Sequence, residues 1–179
     1  GMSDAQEFIF SLAFLRPYRW ILNNAEVLFA LSESDEQRLN EMLPGVQTTI
    51  VPNGVRLNLN DSDTDILDFD ISSDRPLLLF VGKLIESKGI GDLLDAYERL
   101  DTECTLIIAG PPAAEEYVNR LEQFDKANVR YLGYADQDVL EALYRRADLF
   151  VFPTRSDVFP LVTLEALAAG TPVVSTTVG

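Results

Sequence analysis

Over most of the chain, unbroken apolar runs alternate with stretches in which apolar residues recur at helical spacing. Pro76-Leu77-Leu78-Leu79-Phe80-Val81-Gly82 has no polar side chain, the pattern of a strand buried on both faces of a parallel sheet. Three further strand runs, residues 105–109, 129–132 and 149–152, mostly apolar but with Thr105 in the first and Arg130 in the second, follow it, and a fifth spans residues 172–176. Between them, residues 89–100, 114–125 and 137–146 carry the helical period, and another apolar helix begins near Pro160. Strands alternating with helices at this spacing predict an α/β fold, a Rossmann-like parallel sheet with flanking helices joined by right-handed crossovers. Ligands of such sheets collect at the carboxyl ends of the strands.

The pattern upstream is shorter. Residues 8–15 read as a packed helix, because Asp4 and Glu7 precede them where a signal peptide would carry positive charge. The apolar run 27–31 stops at Ser32, which is placed to cap a helix whose first turn holds Asp35. Pro44-Gly45 ends that helix, and residues 48–51 form a second run before the tight turn at Asn53-Gly54. Residues 58–73 are rich in Asp, Asn and Ser and read as a linker, which divides the chain into 2–57, the linker, and a main domain at 74–179. Two strands and two helices in residues 2–57 are too little for an independent core. They are expected to pack on the main domain or on another molecule, self-association included.

Composition narrows the partners. The 179 residues are 47% hydrophobic and 24% charged, ordinary globular usage. A formal charge of −15 repels nucleic acid and anionic membrane, so neither is expected to bind. No run approaches the ~20 apolar residues of a membrane helix, and the protein is expected to be cytoplasmic or peripheral to a membrane. The single Cys104 lies in an apolar run and reads as a buried small hydrophobe. There is no histidine, so neither a histidine base nor a histidine metal site comes from this chain.

Two clusters carry candidate chemistry, and each falls at a strand end. After the first main strand comes Gly82-Lys83-Leu84-Ile85-Glu86-Ser87-Lys88-Gly89, which holds two of the three lysines in the molecule. Gly82 and Gly89 allow the backbone to turn and approach a ligand, and the two ammonium groups can neutralise a diphosphate. The plain alternative is a solvated loop whose lysines pair with Glu86 or Asp92. After the fourth strand, Asp157 and Glu165 stand eight positions apart with a helix start between them. Backbone N–H groups at such a start suit a pyrophosphate, and carboxylates accept hydrogen bonds from paired sugar hydroxyls. Taken singly, each acid reads first as a cap, a dipole partner or a solvated charge. Arg155 is a further charge whose ordinary reading is a surface ion pair.

The string from Ser156 to Val174 resembles the signature of the retaining glycosyltransferases of family 4, which have the two-domain GT-B architecture. Acid, seven residues, acid, then small residues, Gly and Pro-Val-Val is the family spacing, with Asp157 here where Glu is commoner. Val51-Pro52-Asn53-Gly54-Val55 is similar to a second family signature found near the junction of the two domains. The resemblance implies a C-terminal donor-binding domain, incomplete at its end, preceded by the tail of an N-terminal acceptor-side domain. It implies that Lys83 and Lys88 stabilise the leaving nucleoside diphosphate, that Asp157 touches the transferred sugar and that Glu165 binds the ribose hydroxyls. Phe159, Pro160, Leu161 and Val162 would lie at the sugar and phosphate end. Gly82 and Gly110 would be strand-end glycines beside the donor, and Tyr134 would stack on the base. No metal or cofactor is required by this scheme, since basic side chains and a helix end serve instead.

Three activities stand open on these grounds. The first is transfer of a hexose from a nucleoside-diphosphate sugar to a glycan or lipid acceptor with retention, the chain supplying the donor side and being inactive alone. The second is a binding or scaffold module of the same fold without turnover. The third is a sugar-nucleotide epimerase, distinguished from a transferase by the absence of free UDP release.

Overall fold

The computed structural model of the chain describes residues 16–55, 74–125 and 128–178. The helix expected at 8–15 and the linker at 58–73 fall outside these residues. The chain forms two compact units, residues 1–54 with 156–160 and 178–179, and residues 55–155 with 161–177.

The first unit contains helix α1 (Arg16–Asn23), strand β1 (Leu28–Ala30), helix α2 (Glu33–Met42) and strand β2 (Thr48–Ile50). Ser32 caps α2 as its position predicts, its hydroxyl accepting from the Asp35 N–H at 3.2 Å and so supplying one of the bonds a helix start lacks. The helix stops at Leu43, whose N–H donates to the Leu39 carbonyl at 2.8 Å, and Gly45 takes the left-handed φ of 97°. β1 and β2 pair in parallel, Leu28 opposite Thr48.

The second unit is a five-stranded parallel sheet. Its strands are β3 (Leu77–Val81), β4 (Thr105–Ala109), β5 (Val129–Gly133), β6 (Leu149–Phe152) and β7 (Val173–Ser175), in the spatial order β5-β4-β3-β6-β7. Helices α3 (Ile90–Tyr97), α4 (Glu115–Leu121), α5 (Gln137–Arg146) and α6 (Leu161–Ala168) connect them. All five residues of β4 are buried, as in a strand of a parallel sheet covered on both faces, and four of them, residues 106–109, are apolar; the fifth, Thr105, is a buried polar residue at the start of the strand. α3 ends three residues before its apolar period suggests, because Leu100 is exposed and gives no burial to reward a longer helix, and α4 ends at Leu121, four residues short of the expected span. The α/β fold read from the sequence, a Rossmann-like parallel sheet with flanking helices, is the fold observed.

Aromatic side chains fill the core on one side of β6. Phe150 and Phe152, two apart on the strand, stack with centroids 6.0 Å apart. Tyr144 of α5 meets Phe150 edge-on at 5.5 Å, and Phe80 of β3 lies 6.0 Å from Phe152. At the amino ends of the strands, Asp148 accepts the Leu77 N–H at 2.8 Å and the Tyr97 hydroxyl donates to the Cys104 carbonyl at 2.6 Å. Burial pushes the Tyr97 phenol up to about 12. Cys104 is buried there as a free thiol.

Candidate functional site

In the second unit the chain runs outward from β3 through β4 to β5, then returns to β6 and continues outward to β7. The strand order therefore reverses between β3 and β6, and an open α/β sheet leaves its ligand crevice at the carboxyl side of such a point. The loop 82–89 leaves β3 there, and residues 153–155 leave β6 beside it.

The loop is anchored on its far side to the end of β4. The Gly82 N–H donates to the Ala109 carbonyl at 2.9 Å and the Leu84 N–H to the Pro111 carbonyl at 3.1 Å. Leu84 is fully buried, which turns the preceding Lys83 outward, where it is exposed and has no ion-pair partner among the described residues. Lys88 is half-buried, its Nζ 6.0 Å from the centroid of the Phe152 ring, within range of attraction to the ring face. A Cβ on Gly82 would meet the Phe80 ring at 3.2 Å, whereas the close approaches of Gly89 and Gly110 are made to protein backbone. A Cβ on Gly110 would stand 2.0 Å from the Gly82 carbonyl oxygen, and one on Gly89 would stand 1.8 Å from the Pro153 carbonyl oxygen.

The end of β6 fastens the other side of the loop. The Ser87 carbonyl accepts two bonds, from the Thr154 hydroxyl at 3.0 Å and from the Arg155 N–H at 2.8 Å. Thr154 is fully buried, and its carbonyl accepts the Thr176 hydroxyl. The Arg155 fork grips both oxygens of Asp92, each at 2.8 Å, and its third nitrogen reaches Glu86 Oε1 at 2.7 Å. Arg155 is thus the surface ion pair that its ordinary reading predicts. It takes the two acids that were candidate partners for the lysines.

α6 brings Glu165 to the β6 side. The side chain is half-buried, and its Oε2 accepts the Tyr144 hydroxyl at 2.9 Å. Burial, then the carboxylate, pushes the Tyr144 phenol far above its ordinary value. Two cations on one strand end and an oriented carboxylate on the neighbouring helix can hold, respectively, a polyanion and a pair of hydroxyls.

Residues 61–179 match the family described as Glycosyl transferases group 1. The chain belongs to that family. It is 32% identical over 174 residues to a glycogen synthase of Mycobacterium tuberculosis, covering 89% of this chain and 39% of the relative. It is 30% identical over 161 residues to a D-inositol 3-phosphate glycosyltransferase of Mycolicibacterium smegmatis, covering 87% and 36%. The chain thus spans less than half the length of these curated relatives. Among solved structures, the sucrose-phosphate synthase of Thermosynechococcus elongatus superposes over 100% of this chain and 47% of its own, with a TM-score of 0.79 and 26% identity. An Anabaena protein described in complex with UDP and glucose has the same fold, with a TM-score of 0.72 and 22% identity over 97% of this chain and 50% of its own.

For a group 1 glycosyl transferase, the residues singled out in the sequence fall into two sets. Gly82, Lys83, Lys88, Gly110, Tyr134, Leu161, Val162 and Glu165 all belong to the second unit and follow carboxyl ends of its strands. Tyr134, just beyond β5, is 77% exposed, which leaves its ring face open to stacking. Asp157, Phe159 and Pro160 lie in the segment 156–160 between β6 and α6, which groups with the first unit. Tyr144 went unnoticed in the sequence. Its signal was available: a tyrosine on the apolar face of a helix must bury its hydroxyl, and a buried hydroxyl finds a partner. No helix among the described residues is long and apolar enough to cross a membrane.

The Arg155 fork has a pH signature. The bond from Arg155 holds the Asp92 carboxyl below its ordinary value. A carboxylate with a depressed folded-state pKa stabilises the fold fully above its unfolded pKa, about 3.9, and loses that contribution as pH falls through the folded value. The melting-temperature gap between the natural chain and Asp92→Asn should therefore be widest near neutral pH and close from about pH 4 downward. Because both partners are exposed, molar salt should narrow it as well. A gap independent of pH, measured by differential scanning calorimetry, would remove the ion pair as its cause.

Proposed function

We propose that this chain is the donor-binding part of a retaining hexosyltransferase of family 4, holding a nucleoside-diphosphate sugar at the carboxyl edge of the second unit. Residues 2–57 form the tail of the acceptor-side domain, and the acceptor is a glycan or lipid. Lys83 and Lys88 bind the diphosphate and stabilise the charge that develops on it as the glycosidic bond to the donor breaks. Glu165 takes the ribose hydroxyls, Tyr134 stacks on the base, and Gly82, Gly110, Leu161 and Val162 bound the site. Asp157 contacts the transferred sugar, with Phe159 and Pro160 beside it. Charge neutralisation falls to side chains, so no metal enters the scheme. The chain alone is expected not to turn over.

The observation that carries this reading is the pair of lysines on the β3 side and the oriented Glu165 on the β6 side of one strand-order reversal. Thermal unfolding with UDP, GDP and ADP tests it. A nucleotide at 100 times its Kd adds about 2.7 kcal/mol, a melting shift of roughly 5 to 11 °C for a chain of this size. One nucleotide should produce it, and Glu165→Ala should abolish it. No shift with any of the three, or a full shift in the variant, would overturn the assignment.

A further inference from the structure

Glu165 stands on α6 with one oxygen already engaged: the Tyr144 hydroxyl donates to Oε2 at 2.9 Å. Every part of that donor is fixed. Tyr144 is fully buried, its ring is held edge-on by Phe150 at 5.5 Å, and its own carbonyl accepts the buried Thr171 hydroxyl. Thr171 in turn donates its N–H to the Ala166 carbonyl at 2.9 Å, one residue along α6 from Glu165. The donor and the carboxylate are therefore tied by two routes, through the side chains and through the backbone.

A glutamate on a helix face is otherwise mobile. Ordering such a side chain costs rotamer entropy, which a ligand must supply on binding unless the protein has already done so. One bond to Oε2 restricts the carboxylate plane yet leaves it lone pairs for a diol, since an ionised carboxylate has about four acceptor sites. Because burial and the carboxylate keep the phenol protonated, it stays a donor throughout the neutral range.

We propose that Tyr144 is a positioning residue for donor recognition, holding Glu165 so that its carboxylate meets the vicinal hydroxyls of a ribose in a nucleoside diphosphate. This inference rests on the assignment of Glu165 to the ribose under the proposed function. It separates Tyr144 from a tyrosine that merely fastens α5 to α6. A fastener affects every ligand of the site alike, whereas a positioning group affects only ligands that offer the hydroxyls.

The test is an affinity ratio measured by calorimetric titration. UDP, GDP and ADP are each compared with their 2′,3′-dideoxy forms in the natural chain, Tyr144→Phe and Glu165→Gln. Tyr144→Phe keeps the ring against Phe150 and removes only the hydroxyl. It should weaken the preferred ribonucleotide about tenfold, short of the full loss of a direct charged hydrogen bond, and change the dideoxy form less than about twofold. A reduced folded fraction scales both affinities equally and cancels in the ratio. Equal weakening of both forms, or no change in either, would overturn the role of Tyr144. If Glu165→Gln loses the ribose preference while Tyr144→Phe keeps it, only this inference falls. If the natural chain has no ribose preference, or Glu165→Gln retains it, the assignment of Glu165 falls and this inference with it.

Discussion

Gly89→Ala is expected to lower the melting temperature by roughly 4 to 20 °C, a loss of about 2 to 5 kcal/mol at about 2–4 °C per kcal/mol. Two costs add. Gly89 has φ 71° and ψ 19° between the short 3₁₀ turn Glu86–Lys88 and α3, and a side chain in that left-handed region costs about 1–2 kcal/mol. Its Cβ would also stand 1.8 Å from the Pro153 carbonyl oxygen and 2.6 Å from the Pro153 carbonyl carbon, and overpacking costs typically about 1–3 kcal/mol. The obstacle is backbone, and the adjoining Thr154 hydroxyl and Arg155 N–H bind it to Ser87, so it cannot yield without breaking the loop attachment. Gly133 supplies the control. It too is left-handed, with φ 68°, but nothing lies within 4 Å of its Cβ position, so Gly133→Ala should show only the conformational cost. Equal losses in the two variants, measured by calorimetry, would mean that the Pro153 contact contributes nothing.

The largest effect on binding is expected at the two lysines. Each charge-assisted hydrogen bond contributes about 1.5–3 kcal/mol, so Lys83→Ala and Lys88→Ala should each weaken a nucleoside diphosphate by roughly 10- to 150-fold. The chain carries a formal −15, so an anionic ligand is repelled by the net field and needs local cations to bind. Arg155, although close by, has its fork filled by Asp92 and Glu86, and Arg155→Ala should cost much less affinity. Comparison of UDP, UMP and uridine isolates the phosphates. The lysine variants should weaken UDP most and leave uridine nearly unchanged, with the UDP effect shrinking in salt. Uniform weakening of all three would remove the lysines from the diphosphate site.

Much of the candidate site is legible in the chain because strand ends are legible. Residues 77–81, 106–109 and 149–152 are apolar throughout, so the last residues of such runs mark where a ligand edge must be, and Lys83, Glu165 and Tyr134 follow strand ends by position alone. What each side chain does there is another matter. The lysines, Glu86 and Asp92 lie within ten residues of one another, and local spacing pairs them. Arg155, 63 and 69 residues away from those acids, takes them instead, because β6 inserts beside β3 in the sheet.

The amino-acid sequence by itself determined the elements of the second unit, the Ser32 cap, the buried Cys104 and the family, since periodicity, capping and motif spacing are properties of neighbouring residues. Tertiary structure alone decided the close approach of Gly89 to Pro153, the Arg155 fork, the bond from Tyr144 to Glu165, and the grouping of residues 156–160 with the first unit. The reason is physical. A turn or a helical face is settled by the interactions of residues a few positions apart, whereas the partner of a polar group is settled by which strands lie side by side. That order is a result of packing the whole sheet, to which each segment contributes only a share.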